Sequence, residues 1–238
     1  MLSPECDTQT IKQCLANRVV CICDVILKHP LFKNIQREQS HKLGKIADII
    51  DIQNKQALFF NFQALDRIYF VLRGRVKLHN YDDDSSKEFI YRILDQGQAA
   101  GLELMHTELK YFPYAATVLV ESKILTLKAN EFKQIIENDS TMKANLLGYI
   151  ANLSLGLYDR SRDYVLTSVS ERLLKYLQYK SLQYGSNEFE LEISKSDLAN
   201  YLGTISATLS RAFKELEAKG VLELNRDSVV LKQSITNN

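Results

Sequence analysis

The stretch Ile193–Lys219, ISKSDLANYLGTISATLSRAFKELEAK, decides how this 238-residue chain is read. Ser194 precedes an apolar-periodic run and has Asp197 three residues on, so its hydroxyl can cap a helix while the acid favours the first turn. Leu198, Ala199 and Leu202 then share one helical face. Gly203 ends that helix, because glycine enters a left-handed turn without steric cost. Ser206 can cap a second helix, in which Leu209, Phe213 and Leu216 recur at four-three spacing and face inward. Ala207, Thr208, Ser210, Arg211 and Lys214 are left outward, with Lys195 at the head of the first helix. Helical hairpins occur in many folds, but here a hairpin signal follows at once: Gly220-Val-Leu-Glu-Leu, the turn Asn225-Arg-Asp-Ser and Val229-Val-Leu-Lys. Helix, turn, helix and hairpin make the winged form, and small, hydroxyl and basic side chains on the second helix suit base edges and phosphates of double-stranded DNA.

Working outward, Thr167-Ser-Val-Ser-Glu places Ser168 and Glu171 as a capping box before Leu173, Leu174 and Leu177. Gly185 ends that helix, and Phe189 to Ile193 reads as a short strand. Further upstream, Leu146, Ile150, Leu153, Leu157, Arg160 and Tyr164 alternate at four-three spacing, a seam suited to pairing with an identical helix in a homodimer. Between Ile52 and Leu127 the period changes to short apolar runs. These are Arg67-Ile-Tyr-Phe-Val-Leu-Arg, Val76-Lys-Leu-His, Phe89-Ile-Tyr-Arg-Ile-Leu, Thr117-Val-Leu-Val and Ile124-Leu-Thr-Leu, with Gly74, Gly97 and Asp82-Asp-Asp-Ser-Ser as turns. They predict a small β-roll. Ile35, Leu43, Ile46 and Ile49 predict a helix within 33–50. The expected architecture is α+β: a cysteine-bearing segment over 1–23, a β-roll sensor domain over 24–135, a long dimerisation helix over 136–166 and the winged helix-turn-helix over 167–238.

A net charge of +1, and nine basic against nine acidic residues from Thr167 onward, deny the DNA reading a basic domain, so it rests on where the charges stand. Lys195, Arg211, Lys214 and Arg226 are expected to face the duplex while Glu215, Glu217 and Glu223 face away. That balance also supports an alternative, a ligand-sensing regulatory module acting through protein contacts. No apolar run is long enough for a membrane helix and no signal peptide is evident, which predicts a cytoplasmic protein without a membrane partner. Neither a nucleophile–base arrangement nor a phosphate-cradling glycine loop stands out, so no enzyme is expected. Cys6, Cys14, Cys21 and Cys23, all near the start, favour metal or redox chemistry over structural disulfides.

Asp197-Leu-Ala-Asn-Tyr-Leu-Gly followed by Thr208-Leu-Ser-Arg, with Arg73-Gly-Arg-Val-Lys and Gly97-Gln-Ala-Ala-Gly in the roll, resembles the CRP/FNR family of bacterial transcription regulators. The resemblance implies a homodimer on a palindromic operator, with RNA polymerase as a further partner. The family's recognition helix reads Glu-Thr-x-Ser-Arg, and here Ala207-Thr208-Leu209-Ser210-Arg211 stands in that place. Ser210 and Arg211 thus inherit base- or phosphate-contacting roles, Arg211 being suited to a bidentate contact with guanine, while Ala207 replaces the family's acid.

The resemblance also bears on the effector. Cyclic-nucleotide binders of the family carry Gly-Glu-Leu and then Arg-Ser/Thr-Ala, the arginine neutralising the cyclic phosphate. Here Gly101-Leu102-Glu103-Leu104 displaces the acid by one residue and Pro113-Tyr114-Ala115 lacks the arginine, which argues against cyclic AMP. The cysteines resemble those of the family's iron–sulfur oxygen sensors, although the spacing differs and the roll cysteine is replaced near Ser122. Ile26-Leu-Lys-His-Pro-Leu-Phe and Tyr114-Ala-Ala-Thr-Val resemble the haem-dependent nitric-oxide branch, with His29, His41, His79 and His106 as available ligands. An iron–sulfur cluster, haem and simple redox thiols all stay open.

Overall fold

The computed structural model describes residues 22–82, 87–225 and 228–232. Cys6, Cys14, Cys21, Arg226 and turn positions 83–86 therefore lie outside the described residues.

Two short helices, α1 (Ile22–Lys28) and α2 (Arg37–Lys45), lead into a six-stranded antiparallel sheet. Its strands are β1 (Ala47–Ile52), β2 (Ala57–Phe59), β3 (Arg67–Asp82), β4 (Lys87–Leu94), β5 (Ala99–Ala100) and β6 (Ala115–Lys128), with path β1-β6-β3-β4, β2 on β6 and β5 on β3. A short helix α3 (Ala129–Glu137) precedes the long helix α4 (Ser140–Leu166). The C-terminal half comprises α5 (Val169–Tyr184), β7 (Glu188–Glu190), α6 (Lys195–Tyr201), α7 (Ser206–Ala218), β8 (Leu222–Leu224) and β9 (Ser228–Leu231). Its strands form a small antiparallel sheet in the order β7-β9-β8, the wing. Among the described residues no helix is long and apolar enough to cross a membrane.

Three cores follow from the alternation. Phe32, Leu43, Phe70 and Phe132 join the flanking helices to one side of the sheet. Phe59, Tyr69, Phe112 and Tyr114 fill the inside of the roll, with the Phe59 and Phe112 rings stacked at 3.9 Å. Leu177, Leu198, Leu209, Phe213 and Leu222 make the C-terminal core. Each such side chain contributes roughly 1.5–3 kcal/mol by leaving water.

The strand boundaries differ from the expectation in an instructive way. The runs on either side of Gly74 are one strand, β3, and 117–120 and 124–127 are likewise one strand, β6. Gly74 does not turn the chain; with φ +93° it makes a bulge where the register between β3 and β6 shifts. A Cβ there would lie 2.2 Å from Ser122 Oγ. That hydroxyl accepts from the Arg75 N–H at 3.0 Å and donates to the Val120 carbonyl at 2.6 Å. The position where the family's roll cysteine was sought is thus occupied by a buried bulge clamp. The helix expected within 33–50 is confined to Arg37–Lys45; Ile49 instead pairs with Leu125 in β1, where β-branched side chains fit the pleat. Residues 136 and 137 end α3, and α4 starts only after Asp139, whose carboxylate accepts from the Met142 N–H at 2.8 Å.

Candidate nucleic-acid interface and the seam behind it

Ser194 caps α6 as its sequence suggests, accepting from the Asp197 N–H at 3.0 Å. The cap of α7 is Ile205, without a side-chain bond, and Ser206 is the first helical residue instead of the expected cap. Gly203, at φ +65°, makes the turn, and a Cβ on it would meet the Tyr164 ring at 2.8 Å. Leu209, Ala212, Phe213 and Leu216 are buried, which turns Ala207, Ser210, Arg211 and Lys214 to solvent with Thr208 half-buried beside them. Arg211 donates to Thr208 Oγ1 at 3.2 Å and Ser210 to the Ser206 carbonyl at 2.9 Å. Lys195 is exposed in the first turn of α6.

Charge placement resolves the even balance. No carboxylate among the described residues is paired with Lys195, Arg211 or Lys214, whereas nearby acids are engaged. Glu215 is held by Lys219 at 2.5 Å and by the Ser170 hydroxyl at 2.5 Å, contacts that lower its pKa with Lys219 the larger cause. Glu223 is paired with Lys232 at 2.8 Å. The outward side of α7 is left with its cations uncompensated, as contact with phosphates requires.

The long helix carries two stripes, and the one expected to pair with a second copy is partly covered by its own chain, Leu153 and Leu157 staying half-buried. Leu146 is buried in the first core and Ile150 packs against it. Leu153 and Leu157 line a cleft toward the C-terminal half. Arg160 donates to the carbonyls of Ile90 and Tyr201 at 2.7 Å each, and to that of Tyr91, with its guanidinium 4.2 Å from the Tyr201 ring centroid. The exposed apolar stripe is Leu147, Leu155, Tyr158 and Val165, which keep 72%, 62%, 64% and 81% of their surface in water. It lies roughly a third of a turn around the helix from the first. Periodicity found a real seam, but period alone cannot say whether the surface it meets belongs to the same chain.

Behind the interface lies a feature that sequence reasoning missed, an ionic junction between roll and C-terminal half. Arg75 Nε donates to Asp95 at 2.8 Å and its Nη atoms reach Tyr184 Oη at 2.9 Å and the Glu192 carbonyl at 3.2 Å. Lys180 Nζ donates to both Asp95 oxygens at 2.8 and 2.7 Å. Lys77 bridges Glu88 at 2.6 Å and Asp197 at 2.5 Å, and Asn200 donates to Glu88 at 2.9 Å. All three cations are buried. Burial, and secondarily Arg75, hold the Lys180 ammonium below the usual lysine range, with Asp95 opposing that shift. The signal was present in the sequence: Arg75 and Lys77 stand two apart in an apolar strand, so they share one face of it.

On the sensor side, Pro113 stands where a cyclic-phosphate arginine would, and the hydroxyl of Tyr114 beside it donates to Glu103 at 2.5 Å. Burial first, then Glu103, push that phenol far above the ordinary tyrosine value. Stacked rings fill the roll interior beside it, and residues 113–115 bring no arginine. Cys23 is half-buried with Sγ 3.6 Å from His41 Nδ1. No group of three His, Cys, Asp or Glu able to hold a metal stands together among the described residues. Burial pushes His29 down to about 4, and its ring lies edge-on to Phe70. His79 is tied to Thr117 at 2.9 Å and Glu88 at 3.2 Å, and His106 is exposed.

A roll, a long helix and a winged helix-turn-helix with an uncompensated basic face define a DNA-binding regulator. Residues 50–139 match the cyclic nucleotide-binding domain and residues 171–233 the Crp-like helix-turn-helix domain. The chain belongs to the CRP/FNR family of transcription regulators. It is similar to the transcriptional regulatory protein btr of Bordetella pertussis, 26% identical over 78% of this chain and 78% of that protein. It is also similar to the CRP-like cAMP-activated global transcriptional regulator of Mycobacterium tuberculosis, 19% identical over 89% and 96%. Among solved structures, FixK2 from Bradyrhizobium japonicum shares the fold with a TM-score of 0.71 at 18% identity, covering 79% of this chain and 93% of that one.

Proposed function

We propose that this chain is a homodimeric, sequence-specific transcription regulator that reads a palindromic operator through α7. Ala207, Thr208, Ser210, Arg211 and Lys214 meet base edges and phosphates, and Lys195 meets the flanking backbone. The observation that carries this reading is the Arg211–Lys214 face, whose cations have no carboxylate partner among the described residues while Glu215 and Glu223 are paired with Lys219 and Lys232. Arg211 supplies the bidentate donor for guanine, and Ala207 offers a methyl to thymine where the family has an acid. The copies pair through the stripe Leu147, Leu155, Tyr158 and Val165, chosen here over the expected Leu146, Ile150, Leu153 and Leu157 because it is the apolar surface of α4 that the chain leaves in water. RNA polymerase is the further partner, and the protein works in the cytoplasm, where its operator is. Selection from random duplexes followed by footprinting is expected to return two half-sites about 34–36 Å apart. Recovery of no preferred duplex would remove the reading and favour regulation through protein contacts.

The sensor half answers to oxygen, redox state or nitric oxide instead of cyclic AMP. What supports this is the filled roll with Tyr114 bonded to Glu103, and a thiol within reach of an imidazole at Cys23 and His41. Cys6, Cys14 and Cys21 are the other thiols of this chemistry. An anaerobic absorption spectrum with iron and sulfide analysis separates the three routes: broad thiolate–iron absorbance means a cluster, a sharp Soret band means haem, and neither with reversible thiol oxidation means thiols. Saturable cyclic AMP binding that Tyr114→Phe leaves unchanged would contradict it.

A further inference from the structure

We propose that the cleft between β4, α4 and the C-terminal half is a binding site for a small organic anion carrying a planar ring. The cleft holds about 300 Å³, the lower end of the volume range of small-molecule sites. Three parts of the molecule enclose it: Arg92 and Asp95 from the roll, Tyr149 and Arg160 from α4, and Tyr176 and Lys180 from α5. Gly101–Leu104 and residues 113–115 do not line it, so it is a different place from the family's phosphate cassette.

Chemistry defines the ligand. Arg92, Arg160 and Lys180 bring three positive charges to the wall and Asp95 brings one negative. Tyr149, Tyr176, Tyr179 and Tyr201 supply aromatic surface for a flat ring. Two polar atoms of the lining are unsatisfied. Arg92 Nη1 is buried with no hydrogen-bond partner, standing 3.9 Å from Glu103, and the buried Tyr176 hydroxyl has none. Buried donors left unpaired are rare and mark a missing partner. An anion accepting from both would satisfy them together. A ligand here would also touch roll, long helix and α5 at once, next to the Asp95–Lys180 pair, so its occupancy would fix how the C-terminal half is held. This inference rests on the regulator reading only for that last consequence.

Gly156 makes the site testable without damaging the fold. It lines the cleft, lies on the side of α4 away from the exposed stripe, and a Cβ there meets nothing within 4 Å. Gly156→Leu would fill the cleft while improving helix propensity. Calorimetric titration of the full chain with adenosine 5′-monophosphate and with 4-hydroxybenzoate separates nucleotide from aromatic-carboxylate chemistry. Saturable binding of at least one probe is expected, weakened at least about tenfold in Gly156→Leu and in Arg92→Gln, while Gly156→Leu melts no lower than the parent. No binding of either probe at millimolar concentration, or binding that survives Gly156→Leu, overturns the site. Duplex binding measured on the same preparations tells the two failures apart: a chain that binds its selected operator but neither probe loses only the cleft, and one that binds no duplex loses the regulator reading.

Discussion

Asp95→Asn removes the carboxylate that two buried cations share while keeping the shape of the side chain. Arg75 keeps its bonds to Tyr184 and the Glu192 carbonyl and its 3.3 Å contact with the Glu192 carboxylate. Lys180 loses its only carboxylate partner among the described residues and retains Gln183 Oε1 at 3.0 Å. The cost therefore falls on one buried ammonium, and leaving such a charge unpaired costs about 3–5 kcal/mol. The Lys180 pKa already lies below its ordinary value of 10.5, and without Asp95 it falls further. Between the folded and unfolded pKa the unfolded chain binds more protons, so stability rises with pH across that window. In Asp95→Asn the lower edge of the window moves down and the rise begins at lower pH. Urea unfolding from about pH 7 to 10 reads the slope, and hydrogen exchange of α5 and β4 amides reads the opening of the junction. Adding Lys180→Met is expected to recover most of the loss, because an apolar side chain leaves no charge to satisfy. An Asp95→Asn protein within about 0.5 kcal/mol of the parent, with unchanged exchange, would refute the claim that this pair holds the two halves together.

Replacing Leu155 and Tyr158 by Asp is expected to give a monomer by sedimentation equilibrium with the parent's helix content; Leu153→Ala leaves the dimer and destabilises the monomer fold instead. Gly203→Ala puts a methyl 2.8 Å from the Tyr164 ring at a left-handed φ, and thermal melts should show a loss of about 1–3 kcal/mol. His29, buried neutral at about 4 against an ordinary 6.5, gives stability that is complete above pH 6.5 and lost as pH falls toward 4, about 3 kcal/mol in all. Acid titrations of the parent and His29→Phe should differ by that dependence.

Much of the C-terminal half was legible because its signals are local. The Ser168–Glu171 box forms with both of its hydrogen bonds, Ser194 caps α6, and Gly203 and Gly185 adopt the left-handed turns their positions call for. Less was legible where the decision lies between distant residues. Gly74 looks like any turn glycine until Ser122 closes on it across the sheet, and Ser206 lost the cap because the chain enters α7 one residue earlier. The four-three pattern from Leu146 to Tyr164 fixed a helix and a face without naming the surface that covers it. The junction required knowing that Asp95, Lys180 and Arg75 converge from separations of 85 and 20 residues, which no spacing rule encodes.

The central claim is that α7 reads DNA through few, well-placed cations. The most direct measurement is the affinity of the parent and of Arg211→Ala for the selected operator and for an unrelated duplex across a salt series. Parent affinity is expected to fall steeply as salt rises, and Arg211→Ala to lose operator preference, about 1–3 kcal/mol, with the dimer intact. Full operator preference retained by Arg211→Ala, or parent binding indifferent to salt, would contradict it.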